Sequence, residues 1–201
     1  MAMPALRLFT VDDLDALPDD GNRYEVIHGV LLVTPSPGLP HQTVAAGIVA
    51  ELQAVLRDEP GIKVWSPGVV VVRPDTQLEP DLLVGRFPTG DPRWENVEEH
   101  WLAVEVSGVG SRVYDREYKR DGYLEAGVAE VWLVDLGLKR IFVSRAGGST
   151  DVPHDIELTW RSPGGREMKL DVAALFRMAS GGSPRTLTES LDVKSKGSRI
   201  G

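Results

Sequence analysis

LAVEVSGVGSRVYDREYKRDGYLEAGVAEVWLVDL, residues 102–136, joins an acid-bearing apolar strand, a short loop, a charged helix and a second apolar strand. Its first six residues, Leu102-Ala103-Val104-Glu105-Val106-Ser107, are mostly aliphatic and read as a buried strand with one acid near its end. An ionised Glu105 between Val104 and Val106 is costly to bury unless it is paired, hydrogen-bonded or bound to a metal. Residues 115–126 read as a helix with Gly127 placed as its C-terminal cap. On that helix Lys119 shares a face with Asp115 and Tyr123, one turn away on either side. Residues 130–135 return as a strand.

Upstream, residues 41–57 form the clearest helix. Val44, Ile48, Leu52, Val55 and Leu56 recur at helical spacing, and Pro60-Gly61 ends the pattern. Strand-like runs follow at 63–65, 69–73, 81–84 and 101–106. The coarse order reads as helix, strands, helix, strand. Apolar strands of this kind need a sheet covered by helices on at least one face, an α/β (α+β) class. Strand and helix do not alternate strictly, and no G-x-G-x-x-G or Walker-type loop is present, so a doubly wound nucleotide-binding fold is excluded.

The flanks are less regular. Residues 10–19 read as a short helix capped by Thr10 and stopped by Pro18. Residues 24–33 read as a hairpin or bent strand turning at His28-Gly29, and 34–40, with three prolines, as a loop. Beyond 135, strands are expected at 141–144, 157–160 and 167–170, then a helix at 171–178 capped by Asp171. A single domain over 1–178, with its core at about 22–144, and a polar disordered tail over 179–201 complete the expected organisation.

Composition narrows the chemistry. The 201 residues include no cysteine, which excludes disulfides, thiolate metal sites and cysteine nucleophiles. Thirty acidic against twenty-two basic residues give a formal charge of −8, against a protein that coats nucleic acid nonspecifically. The N-terminus lacks a basic start followed by an apolar run. The longest charge-free stretch, 26–50, is broken by three prolines, so neither a signal peptide nor a membrane span is expected. The expected location is the cytoplasm.

A second acid stands where the core pattern does not ask for one: Pro80-Asp81 opens the apolar run Leu82-Leu83-Val84. Two acids at neighbouring strand ends are what a magnesium site requires, with a nearby lysine to orient a nucleophile or neutralise phosphate charge. Each residue has a plainer account. Asp81 reads equally as an ordinary residue at the start of a strand, and Glu105 as the outward residue of an edge strand or half of a salt bridge. Lys119, among Arg112, Asp115, Arg116, Glu117, Arg120 and Asp121, reads equally as part of a solvated helix face.

Taken together, YEVIHGVLLVTPSP, the HQ that opens the first core helix, PDLLVG and the 102–136 run resemble the Uma-two family of restriction-like endonucleases, over about 8–144. The resemblance implies a PD-(D/E)XK nuclease fold, a central mixed sheet flanked by helices with an extra N-terminal β-hairpin. It implies that Pro80-Asp81 is the family's Pro-Asp and that Glu105 is the first acid of the second motif. Ser107 stands where the usual lysine would be, Lys119 is its displaced replacement, and Glu25 is an additional metal-shell acid. His41 matches the family's histidine. For Glu25 the plain alternative is a pair with Arg23 or Lys119; for His41 it is a helix cap. Glu51 reads as a rim residue or a further acid. Two departures lie near the implied site: His28-Gly29-Val30 in place of an Asp-Gly-Glu, and Gly108-Val109-Gly110 in place of a Ser-Pro-Ser.

The expected function is metal-dependent hydrolysis of a nucleic-acid phosphodiester, most readily DNA. Asp81, Glu105 and Glu25 would hold Mg2+ or Mn2+, Lys119 would assist the attacking water, and Arg112, Arg116 and Arg120 would contact backbone phosphates. The alternative is a catalytically decayed module that binds nucleic acid or a protein. A homodimer would pair two active sites; Trp65, Trp94 and Trp101 read equally as interface or core.

Overall fold

The computed structural model describes residues 7–108 and 118–181. Its centre is a six-stranded mixed sheet in the order β10-β9-β8-β7-β6-β3. The strands are β3 (Ile62–Trp65), β6 (Leu82–Arg86), β7 (His100–Ser107), β8 (Glu130–Asp135), β9 (Arg140–Arg145) and β10 (Val152–His154). Only the β7–β8 pair is parallel among them. The chain between β7 and β8 carries α3 (Arg120–Glu125), and this crossover is what a parallel pair requires.

The sheet is buried on both faces, which explains the continuous apolar runs in its central strands. Leu82, Val84, Leu102, Val104, Trp132 and Val134 pack with α2 (Leu39–Leu56), α4 (Val172–Ala179) and the hairpin β11 (Glu157–Arg161)–β12 (Glu167–Asp171). Alternate residues Leu83, Ala103, Val131 and Leu133 point the other way, onto Ile27, Val70, Leu78 and Tyr123. Asp81 and Glu105 share the parity of this second set. The antiparallel register Leu82↔Val104, continued by one residue, sets Asp81 opposite Glu105.

The second face is covered by a four-stranded antiparallel sheet, β2-β1-β5-β4. The expected hairpin is there, as β1 (Arg23–Ile27) and β2 (Val30–Thr34). His28 and Gly29 take φ of 49° and 79° in its two-residue turn, a conformation that suits glycine and is tolerated by few other residues. The run at 69–73, expected among the core strands, instead becomes β4 (Val70–Val72) and pairs with β5 (Thr76–Leu78) in this second sheet. The three strands between the core helices are β3, β6 and β7. β5 and β10 have only three residues each, too short to show a period of two.

The helix expected at 10–19 is a single turn, α1 (Val11–Leu14), closed by the Asp13 carboxylate accepting from the Thr10 N–H at 2.7 Å. Asp171 caps α4 as expected, accepting from the Ala174 N–H at 2.7 Å. α4 runs through Ala179, and of the tail expected over 179–201, residues 182–201 lie outside the described residues. Trp65 and Trp94 meet edge to face at 5.4 Å, and Trp101 lies under the Arg86 guanidinium. All three tryptophans are thus engaged inside the chain. No helix among the described residues is long and apolar enough to cross a membrane.

Candidate active site

Five segments bring the candidate residues together. β1 supplies Arg23 and Glu25, α2 supplies His41, the starts of β6 and the middle of β7 supply Asp81 and Glu105, and the wide turn before α3 supplies Lys119. Alternation along β1 puts Arg23 and Glu25 on one face.

Lys119 is 2% exposed and lies between two carboxylates. Its Nζ is 2.5 Å from Glu25 Oε2 and 3.2 Å from Glu105 Oε1. Glu25 is fully buried, and its Oε1 accepts the Glu79 backbone N–H at 2.8 Å. The Tyr123 hydroxyl, one turn beyond Lys119, donates to Glu105 Oε1 at 2.5 Å. Burial and the adjacent Glu105 charge push the Tyr123 phenol well above its ordinary pKa, so it remains a donor. The solvated-face alternative for Lys119 is therefore excluded by its burial.

Asp81 has its own set of partners. Oδ2 accepts from the Val106 backbone N–H at 2.8 Å and faces His41 Nε2 at 2.9 Å; Oδ1 accepts from Arg23 Nη1 at 3.1 Å. Burial alone would raise the Asp81 pKa. The His41 ring, the Val106 N–H and the Arg23 charge more than offset this and hold it below the ordinary aspartate value. Arg23 also donates to the Glu79 carbonyl oxygen at 2.8 Å. Burial opposes its charge, but Asp81, Glu105 and Glu25 around it raise its pKa, so it stays a cation.

A carboxyl group with a depressed folded-state pKa stabilises the fold above its unfolded value, here 3.8, and loses that contribution as pH falls through the folded value. Asp81→Asn is therefore expected to flatten the loss of stability between about pH 5 and pH 2. Urea unfolding across that range checks it; a variant with the parent's full acid slope would remove Asp81 as the source.

Asp81, Glu105, Lys119, Arg23 and His41 line one cavity of about 540 Å³, walled also by β2 and the loop that follows it. Asp81 and Glu105 offer the hard oxygen donors that magnesium and manganese take. Among the described residues no three His, Asp or Glu side chains converge as a closed cage for an ion. Two carboxylates still fit magnesium, which keeps several waters and accepts substrate phosphate oxygens. Glu25, Asp81 and Glu105 are three buried carboxylates, with Arg23 and Lys119 among their partners. Glu25 itself stands behind Lys119 and does not line the cavity, unlike the metal-shell position that the resemblance implied.

The other candidates fall elsewhere. Ser107 is buried at the end of β7, where its carbonyl accepts the Leu136 N–H. Arg120 is held by Asp121 and Asp151, each at 2.8 Å, rather than standing ready for phosphate. Arg112 and Arg116 lie outside the described residues. Glu51 is on the exposed side of α2. His28 meets Glu125 at 2.8 Å on the surface. Arg23 and Tyr123 were not among the expected site residues, although spacing offered a signal for both: Arg23 is two residues from Glu25 on a strand, and Tyr123 is four from Lys119.

None of the curated proteins matches the chain. A crystal structure of a putative nuclease belonging to DUF820, from Anabaena variabilis ATCC 29413, superposes with a TM-score of 0.63 at 19% identity. It covers 85% of this chain and 99% of its own, which shows a shared fold. The model of the Uma2 family, described as putative restriction endonuclease, matches residues 11–173. With more than half of its length matched, the chain belongs to the Uma2 family of putative restriction endonucleases.

Proposed function

We propose that the protein is a metal-dependent endonuclease that hydrolyses nucleic-acid phosphodiester bonds, with DNA as the first substrate to try. The observation that carries this is the Glu25–Lys119–Glu105 contact beside Asp81 on one cavity wall: a buried lysine held between acids, next to a carboxylate kept ionised. Asp81 and Glu105 would hold Mg2+ or Mn2+, which supplies Lewis-acid charge to a phosphodiester when bound.

The chain's own residues do the rest. Arg23, His41 and the Val106 N–H fix the Asp81 carboxylate and keep it charged. Tyr123 fixes Glu105. Lys119 presents a positioned ammonium to the cavity, able to orient water or to stabilise charge developing on phosphate. Glu25 acts through Lys119, holding that ammonium in place.

One observation favours a second function, a non-catalytic module on the same scaffold: Asp81, Glu105 and Glu25 all have side-chain cations as partners already. Calorimetric titration with Mg2+ and Mn2+ separates the two. The parent is expected to bind one of them and to cleave DNA in a manner that EDTA abolishes. Binding unchanged in an Asp81→Ala, Glu105→Ala variant, or no metal-stimulated cleavage, would overturn the nuclease proposal.

A further inference from the structure

We infer that the cavity takes a single unpaired nucleotide, so that the substrate is single-stranded or locally unpaired nucleic acid rather than a continuous stacked duplex. This rests on the nuclease function proposed above and specifies its substrate class.

Size is the first argument. The cavity of about 540 Å³ falls in the range of about 300–1,000 Å³ that encloses one small ligand, the scale of a nucleotide. A duplex is far wider, its major groove alone being about 12 Å across. Asp81, Glu105 and Lys119 are almost wholly buried, and a nucleotide that leaves the stack, as it does in enzymes that extrude a base, brings its phosphodiester to them.

The wall chemistry points the same way. Beside the charged residues the lining is largely apolar: Leu31, Leu32 and Val33 from β2, then Pro35 and Pro37, with Thr34 and Ser36 between them. A paired duplex presents phosphates and groove edges outward, which such a wall cannot satisfy. An unpaired base presents an apolar ring face, which it can.

The wall is also held in shape. Pro35, Pro37 and Pro40 lock φ at three positions in six residues, and Pro40 lies in the first turn of α2. The Ser36 hydroxyl donates to the Gly21 carbonyl and ties the loop to the chain before β1. Opening the site wide enough for a duplex means displacing this braced segment.

Charge is the last. Tracking a duplex backbone needs a row of cations free for phosphate. Among the described residues the cavity's cations, Arg23 and Lys119, are paired with carboxylates, and the chain's formal charge is −8.

The test compares cleavage and binding of one labelled DNA sequence in three forms: single strand, blunt duplex, and duplex with a central mismatch bubble, in Mg2+ or Mn2+. A free dinucleotide serves as competitor. Single strand and bubble are expected to be cut at least about tenfold faster than the duplex, with bubble cuts confined to the unpaired bases. Thr34→Trp, at a partly exposed wall position directly across the strand pair from Arg23 and outside the acid cluster, is expected to slow single-strand cleavage about tenfold and to leave metal binding by calorimetry unchanged. Equal cleavage of duplex and single strand overturns the inference and leaves the nuclease function standing. Where no form is cut, fluorescence anisotropy decides. Preference for the single strand without cleavage supports the inference and removes the nuclease. Absence of that preference removes the unpaired-nucleotide site too. Direct calorimetric binding of the dinucleotide, with no binding of any strand, overturns the inference in favour of a small-molecule site.

Discussion

Lys119→Met is expected to lower the unfolding free energy by about 3–5 kcal/mol and to abolish cleavage. The ammonium is 2.5 Å from Glu25 and 3.2 Å from Glu105, and all three side chains are almost wholly buried. Without it, two carboxylates face each other away from water with the Tyr123 hydroxyl and the Glu79 N–H as their remaining named donors. Removing one partner of a buried pair costs far more than the pair itself contributes, because the charge left behind is uncompensated. Urea denaturation of Lys119→Met, Glu25→Gln and the double variant checks the cause. Most of the lost stability is expected to return in the double variant, since one buried charge leaves with the other, while cleavage stays absent. A single variant as stable as the parent would show that Lys119 does not neutralise those acids.

Asp81→Asn and Glu105→Gln are each expected to reduce cleavage about 10²–10³-fold while the protein stays folded. Both changes keep the side-chain shape and remove the charge that metal and phosphate chemistry needs. Asp81→Asn keeps an oxygen for the Val106 N–H, and Glu105→Gln keeps one for the Tyr123 hydroxyl. The two residues act as a unit, so the double variant is expected to lose little beyond the worse single. Single-turnover rates, with circular dichroism to verify the fold, provide the measurement. A variant that cleaves within a few-fold of the parent would remove that carboxylate from the reaction.

The relation between these acids was partly legible in the chain. Pro80-Asp81 and Glu105 stand out because a charge inside an aliphatic run has to be accounted for, and the structure buries both with partners. The helix at 41–57, the Gly127 cap and the His28-Gly29 turn carry local signals strong enough to survive tertiary context: spacing, a φ of +87° at Gly127, and left-handed turn residues. The run at 69–73 carries equal β propensity but no statement of which sheet it joins. Only its pairing with the three-residue β5 takes it out of the core order.

The sequence by itself determined the class of the fold and the identity of the acids, because hydrophobic period and a misplaced charge are local properties of a chain. Their geometry was decided by tertiary structure alone. The β6–β7 register sets Asp81 opposite Glu105, and the turn before α3 brings Lys119 back between Glu105 and a Glu25 that lies 94 positions earlier. The same packing set Glu25 against the Lys119 ammonium and gave Asp81 to Arg23 and His41. Ion pairs between distant residues leave no periodicity in a sequence; they exist only once register and packing have brought the elements together.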